Sequence, residues 1–198
     1  MRLRLGAVLF VAALYLPAAQ AQSRQGGGSQ KPSREVQVWT GGGHSAYRGA
    51  RHTSVWNAGF RYGWIVTDAH GPGFFRGRLE YAVDVVPVFL VLQPSGAVYG
   101  AGLNPIALKW NLDVRGRVAP YLEIGVGTLF THDRVPPGTS RVNFISSGAL
   151  GVNVAQRRTH CSAEVRYMHI SNASLTGRNR GVNIIQLRIG LGWFNRRG

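Results

Sequence analysis

With 198 residues and a formal net charge of +15 from 23 basic and 8 acidic side chains, the chain is sized for one domain and calls for an anionic partner. Its one cysteine, Cys161, excludes an internal disulfide, and the histidines lack metal-ligand spacing. No run beyond the N-terminus nears the roughly 20 apolar residues of a membrane helix, so insertion into a bilayer has to use strands.

The N-terminus reads as a secretory signal. Arg2 and Arg4 precede an apolar stretch over 5–16, and Ala19-Gln20-Ala21 is a small-x-small cleavage site. Residues 1–21 are therefore expected to be a signal peptide. Residues 22–34, with Gly26-Gly27-Gly28-Ser29 and Lys31-Pro32, are a flexible lead-in, and 35–198 form one β-barrel domain. An exported chain with no nucleic-acid recognition motif points its positive charge at an anionic lipid surface, such as phosphorylated lipopolysaccharide, rather than at nucleic acid.

Eight stretches with strand character follow, over 35–43, 54–66, 77–91, 97–112, 117–130, 141–155, 160–171 and 181–194. None carries a helical period. Several exceed ten residues, the length of a tilted transmembrane strand. In the last stretch, Asn183, Ile185, Leu187, Ile189, Leu191 and Trp193 share one face, opposite Ile184, Gln186, Arg188 and three glycine or aromatic positions. The third stretch sets Glu80, Ala82, Asp84 and Val86 against Leu79, Tyr81, Val83 and Val85, and Pro87 marks a bulge or bend. An apolar outer face with a polar, small-residue interior fits an eight-stranded antiparallel transmembrane β-barrel of the bacterial outer membrane. A soluble barrel or sandwich would reverse the two faces. With both termini periplasmic, the connections at 44–53, 92–96, 131–140 and 172–180 face outward. Arg48, Arg51, Arg134, Arg141, Arg178 and Arg180 then gather on the side of the outer leaflet's phosphates.

The segment with chemical content is Tyr167-Met168-His169-Ile170-Ser171-Asn172-Ala173-Ser174-Leu175, followed by Asn179-Arg180-Gly181-Val182-Asn183. His169 and Ser171, two apart on a strand, face the same way, so an imidazole stands beside a hydroxyl that it could activate. The pattern H-x-S-N-A-x-L, then N-x-G-V-N, resembles the active-site segment of the lipid A 3-O-deacylases (PagL-like, acyloxyacyl hydrolases), small outer-membrane barrel esterases. The close match spans roughly the last thirty residues.

The resemblance implies a serine esterase that removes an ester-linked 3-hydroxyacyl chain from lipid A in the outer leaflet and needs no cofactor. Ser171 would be the nucleophile and His169 the general base. The family's third residue is a glutamate fourteen positions after the histidine, and here that position is Asn183. An amide oxygen can orient an imidazole but brings no charge to stabilise its protonated form. The resemblance also implies an oxyanion site built from the side-chain amide of Asn179 and the backbone N–H of Asn172. Arg178 and Arg180 are candidates for holding substrate phosphate. Ser174 stands where the family has glycine, and Gly181 is expected to permit the turn into the last strand.

Other readings of the residues stay open. Asn172 and Asn179 are also ordinary turn formers. A non-catalytic barrel or degenerate deacylase that binds lipopolysaccharide fits Asn183, and an acyltransferase would use the same acyl-serine. Chain length, acyl position and oligomeric state leave no mark in the sequence.

Overall fold

The structure, a computed structural model, describes residues 34–46, 52–156, 159–175 and 181–195. The expected signal peptide and all but the last residue of the lead-in lie outside these residues. Eight strands run in chain order: β1 Arg34–Ser45, β2 Ser54–Ile65, β3 Gly77–Gln93, β4 Gly96–Leu112, β5 Val118–Thr131, β6 Val142–Gln156, β7 Thr159–Ser171 and β8 Val182–Asn195. Each pairs antiparallel with the next, and β8 returns to β1, from Arg34↔Asn195 to Ser45↔Ile184, so the sheet closes into a barrel. Closure leaves no strand edge unpaired, which a bilayer requires. Every stretch marked by the sequence becomes a strand, with ends shifted by at most two residues.

Pro87 acts as expected. Lacking an N–H, it cannot complete a ladder, and the β3–β4 register shifts between Val86 and Phe89. A second irregularity in β4 falls at Asn104-Pro105, where pairing with β5 jumps from Leu103 to Ile106. The connection between β2 and β3 is longer than a periplasmic turn usually is, but it is folded. It holds a 3-10 turn at Gly73–Phe75, and the indole N–H of Trp110 donates to the Phe75 carbonyl at 3.1 Å.

Alternation places charge inside and aliphatic groups outside. Glu35, Arg61, Glu80, Asp84, Lys109, Glu123, Glu164, Arg166 and Arg188 are all buried, while Val85, Ile124, Leu150, Leu187 and Ile189 lie open on the outer wall. Water would favour the reverse arrangement; lipid accounts for this one. Cys161 sits on the same outer wall. Aromatic side chains flank the band: Trp64 stacks on Tyr81 at 5.6 Å near one rim, and Trp56 and Tyr99 lie exposed toward the other.

The lumen is filled by two linked ionic clusters. In the first, Arg61 pairs with Asp84 at 2.8 Å and Glu123 at 2.5 Å, and Arg166 with Glu123 at 2.6 Å and Glu164 at 2.7 Å. Arg188 meets Glu164 at 3.0 Å and lies over the Trp39 ring at 4.3 Å. Three guanidinium groups thus face three carboxylates. In the second, Lys109 bridges Glu35 (2.8 Å) and Glu80 (2.9 Å), and His160 Nε2 lies 2.6 Å from Glu35. Glycines make the room: a Cβ at Gly190 would stand 2.7 Å from Ser162 Oγ and 2.8 Å from the Gln37 amide carbon. Toward the outer rim the filling changes character. There Val86, Phe89, Val91, Val98, Leu129, Ile145, Met168, Ile170, Val182 and Ile184 form an apolar plug. The interior is therefore less uniformly polar than the sequence pattern suggests, and the plug backs the strands that carry the motif.

Because Arg61 faces two carboxylates in a water-poor lumen, its removal should cost far more than a surface pair would. Arg61→Ala is expected to lower unfolding free energy by about 3–5 kcal/mol. Denaturant titration of the barrel in detergent checks this; a loss below about 1 kcal/mol, the scale of an exposed pair, would contradict it.

Candidate functional site

The motif residues meet where β7 and β8 run side by side at the rim beyond the apolar plug. Strand pairing sets His169 directly opposite Asn183, Met168 opposite Ile184 and Ile170 opposite Val182. Met168, Ile170, Val182 and Ile184 are buried in the plug, so their neighbours His169, Ser171 and Asn183 must point outward. All three are partly exposed. The His-x-Ser spacing thus gives what a period of two demands, and the apolar plug holds the two strands in register.

Across the strands, His169 Nδ1 and Asn183 Oδ1 are 2.6 Å apart. Since an amide oxygen only accepts, this contact requires the proton on Nδ1 and leaves the lone pair on Nε2. The Tyr167 hydroxyl donates to the same Oδ1 at 2.8 Å. The motif gave Tyr167 no role, although its position two residues before His169 puts it on the same face. Two donors on one oxygen hold the amide with its oxygen toward the ring.

Gly181 serves a purpose other than the expected turn. Its φ lies outside the left-handed region, but a Cβ there would run into His169 Cε1 and stand 3.0 Å from Nε2. The ring occupies the space that any side chain at 181 would need.

The residues after Ser171 turn sharply. Ala173 and Ser174 have φ of 48° and 65°, the left-handed region that non-glycine residues adopt at a cost. The Asn172 side chain is buried; its Oδ1 accepts the Ser174 backbone N–H at 3.0 Å, and its carbonyl accepts the Leu175 N–H at 3.0 Å. Asn172 is therefore a turn former through its side chain, and the Ser174 N–H is already engaged. Asn179, Arg178 and Arg180 lie outside the described residues. Glu164 belongs to the lumen cluster and His160 to the far end of β7, so neither takes part.

Beside Ser171 the outer wall is recessed. Ser171 pairs with Phe144 and His169 with Ser146 on β6. Ser171, Phe144 and Ser146, with Pro105, Val126 and Thr128, line a groove of about 370 Å³ that runs from the serine across β6 and β5 to the irregularity in β4. Nothing in the linear sequence marks it, because its walls come from three strands and a bulge.

Comparison with known proteins accords with this geometry. The family model described as lipid A 3-O-deacylase (PagL) matches residues 44–192. Among solved structures, the outer membrane enzyme PagL superposes with a TM-score of 0.59 at 18% identity, covering 78% of this chain and 97% of that one. The N-terminal β-barrel domain of Pseudomonas aeruginosa OprF gives 0.49 at 13% identity, covering 81% and 97%, and Yersinia pestis Ail gives 0.46 at 9%, covering 83% and 98%. At such identities the likeness speaks for the fold alone. No curated protein matches the sequence.

The left-handed Ser174 yields a stability prediction. Glycine relieves about 1–2 kcal/mol of backbone strain there but loses up to about 1 kcal/mol to unfolded-chain entropy. Ser174→Gly is therefore expected to raise unfolding free energy by about 0.5–1 kcal/mol, read from the denaturation midpoint. A lower midpoint would mean that the serine side chain makes a contact worth more than the strain.

Proposed function

We propose, for a chain that belongs to the lipid A 3-O-deacylase (PagL) family, that it hydrolyses the ester-linked 3-hydroxyacyl chain at the 3-position of lipid A by a serine mechanism. The observation that carries this reading is the 2.6 Å contact of His169 Nδ1 with Asn183 Oδ1, on the same outer wall as Ser171 and beside its groove. The contact fixes the tautomer in which Nε2 can accept a proton.

In the proposed sequence, the substrate's acyl chain lies in the groove and brings its ester carbonyl to Ser171. Ser171 Oγ bonds to the carbonyl carbon while His169 Nε2 takes the hydroxyl proton. Charge on the carbonyl oxygen is met by the Asn172 backbone N–H and the Asn179 side chain, with Arg178 and Arg180 toward substrate phosphate. Collapse breaks the bond to the sugar oxygen, which receives the proton from the imidazolium and leaves as the 3-hydroxyl. Water then repeats the cycle on the acyl-serine and releases the fatty acid. The site faces lipid because its substrate arrives laterally in the leaflet.

Asn183 sets the rate. It keeps the ring oriented but adds no negative charge beside the imidazolium formed in each step. In a serine protease the change from acid to amide costs about 10⁴-fold, in part through the wrong tautomer. Here the Tyr167 hydroxyl and the ring share one amide oxygen, which favours the productive tautomer and a smaller deficit.

Purified barrel in detergent, with lipid A as substrate, provides the test. Ser171→Ala should lower kcat by about 10³-fold or more, and Asn183→Glu should raise it by at least about tenfold. Equal turnover by Ser171→Ala would refute the serine mechanism. Turnover seen only with Asn183→Glu would make the natural protein a lipid A-binding barrel that has lost hydrolysis.

A further inference from the structure

A second histidine–serine pair lies on the same rim, one strand beyond the first. His44 Nδ1 and Ser54 Oγ are 2.9 Å apart and exposed. They face each other across β1 and β2, and His44 stands opposite Ile185 of β8, which in turn stands opposite Tyr167. Tyr167, Ile185, His44 and Ser54 thus form one row on the outer wall. Adjacent strands are about 4.8 Å apart, so the two histidine-bearing strands are separated by about 10 Å. The spacing is rigid: the Ala46 backbone N–H donates to the Asn183 carbonyl at 2.7 Å, which extends the β1–β8 ladder to the site itself.

This pair is not a second nucleophile. In the first pair, Nδ1 is held by an amide, which leaves Nε2 for the hydroxyl in the proposed mechanism. In the second, the hydroxyl sits on Nδ1, and the strand partner across β8 is an isoleucine. What the pair does offer is a hydrogen-bond donor. If Ser54 donates to Nδ1, the ring N–H is on Nε2; if Nδ1–H donates to Ser54, the hydroxyl O–H is left to donate elsewhere. Either arrangement presents one donor away from the pair, and a protonated ring presents two.

The position of the pair indicates its ligand. The acyl groove runs from Ser171 toward β6, β5 and β4, so the remainder of a bound lipid must extend to the other side, over β8 toward β1 and β2. Trp56, two residues after Ser54 on the same outer face, lies exposed at the level where indoles meet lipid headgroups. We propose that His44 and Ser54 form a subsite for the phosphorylated sugar headgroup of the lipid whose acyl chain enters the Ser171 groove, an assignment that rests on the deacylase reading for the substrate's identity. A phosphate only accepts hydrogen bonds, and the pair presents a donor to it.

Binding is the direct readout, measured on the Ser171→Ala barrel in detergent micelles so that no turnover intervenes. The probes are lipid A bearing its phosphates, the same lipid stripped of them, and phosphatidylglycerol. His44→Ala and Ser54→Ala should each weaken binding of the phosphorylated lipid A about tenfold, the scale of a charge-assisted hydrogen bond, and leave the stripped lipid unaffected. His44→Gln, which keeps a donor, should restore much of the loss. Equal weakening for both forms of lipid A, or none for either, would overturn the subsite. So would the same loss for phosphatidylglycerol, which carries phosphate without the sugar. Phosphate-dependent binding in a barrel that, with Ser171 intact, cleaves nothing would refute hydrolysis and leave the headgroup subsite standing.

Discussion

The charge-filled lumen is the constraint from which the rest of the molecule follows. Arg61, Arg166 and Arg188 against Asp84, Glu123 and Glu164, with Lys109 between Glu35 and Glu80, occupy the space that a wider barrel would leave to water. Each ion is tolerable there only because it is paired, and every pair except Arg166–Glu164 joins different strands. The network therefore ties the closed sheet together across its interior. With the lumen committed to ion pairs and, at the outer rim, to an apolar plug, chemistry has only the outer wall to work on. Strand alternation then decides which residues appear there. A protein of the outer membrane has lipid at that wall, so a site for lipid needs no cavity inside.

The same arrangement accounts for the rigidity of the site. His169 and Asn183 are cross-strand partners, and the residues that flank each of them on its own strand are buried in the plug. A one-residue slip of β8 against β7 would turn Asn183 inward and bring an apolar side chain out. Precision comes from register, and a loop is required only for the turn after Ser171. That turn carries two left-handed non-glycine residues, Ala173 and Ser174. The turn is strained, Asn183 meets the His169 ring with an uncharged amide, and the tyrosine hydroxyl on Asn183 gives that amide a second anchor.

Much of this was legible in the sequence. Alternation is clear at Asn183 through Trp193, but it is blurred at Leu79 through Leu90, where Ala82 and Val86 put apolar groups on the same face as Glu80 and Asp84. Pro87 announced its bulge because proline has only one physical consequence inside a ladder. The pairing of His169 with Asn183 was readable only through the family pattern, because register between two strands is set by the whole sheet and not by either segment. Tyr167 could have been found from its spacing alone. The groove beside Ser171 could not, since Pro105, Val126, Thr128 and Phe144 are far apart in sequence and converge only on closure. The His44–Ser54 pair was hidden for the same reason: the two residues belong to the ends of different strands, and neither belongs to the motif. The reading of Gly181 as a turn residue missed a steric need that comes from a ring on the neighbouring strand.

In the proposed function a catalytic pair works from the lipid-facing wall on lipid A in its own leaflet. Mass spectrometry of lipid A extracted from outer membranes that contain the folded protein tests this most directly. The account predicts the appearance of a lipid A species lighter by one 3-hydroxyacyl chain, absent when Ser171 is replaced by alanine. An unchanged lipid A profile, with the barrel folded and in the membrane, would contradict it.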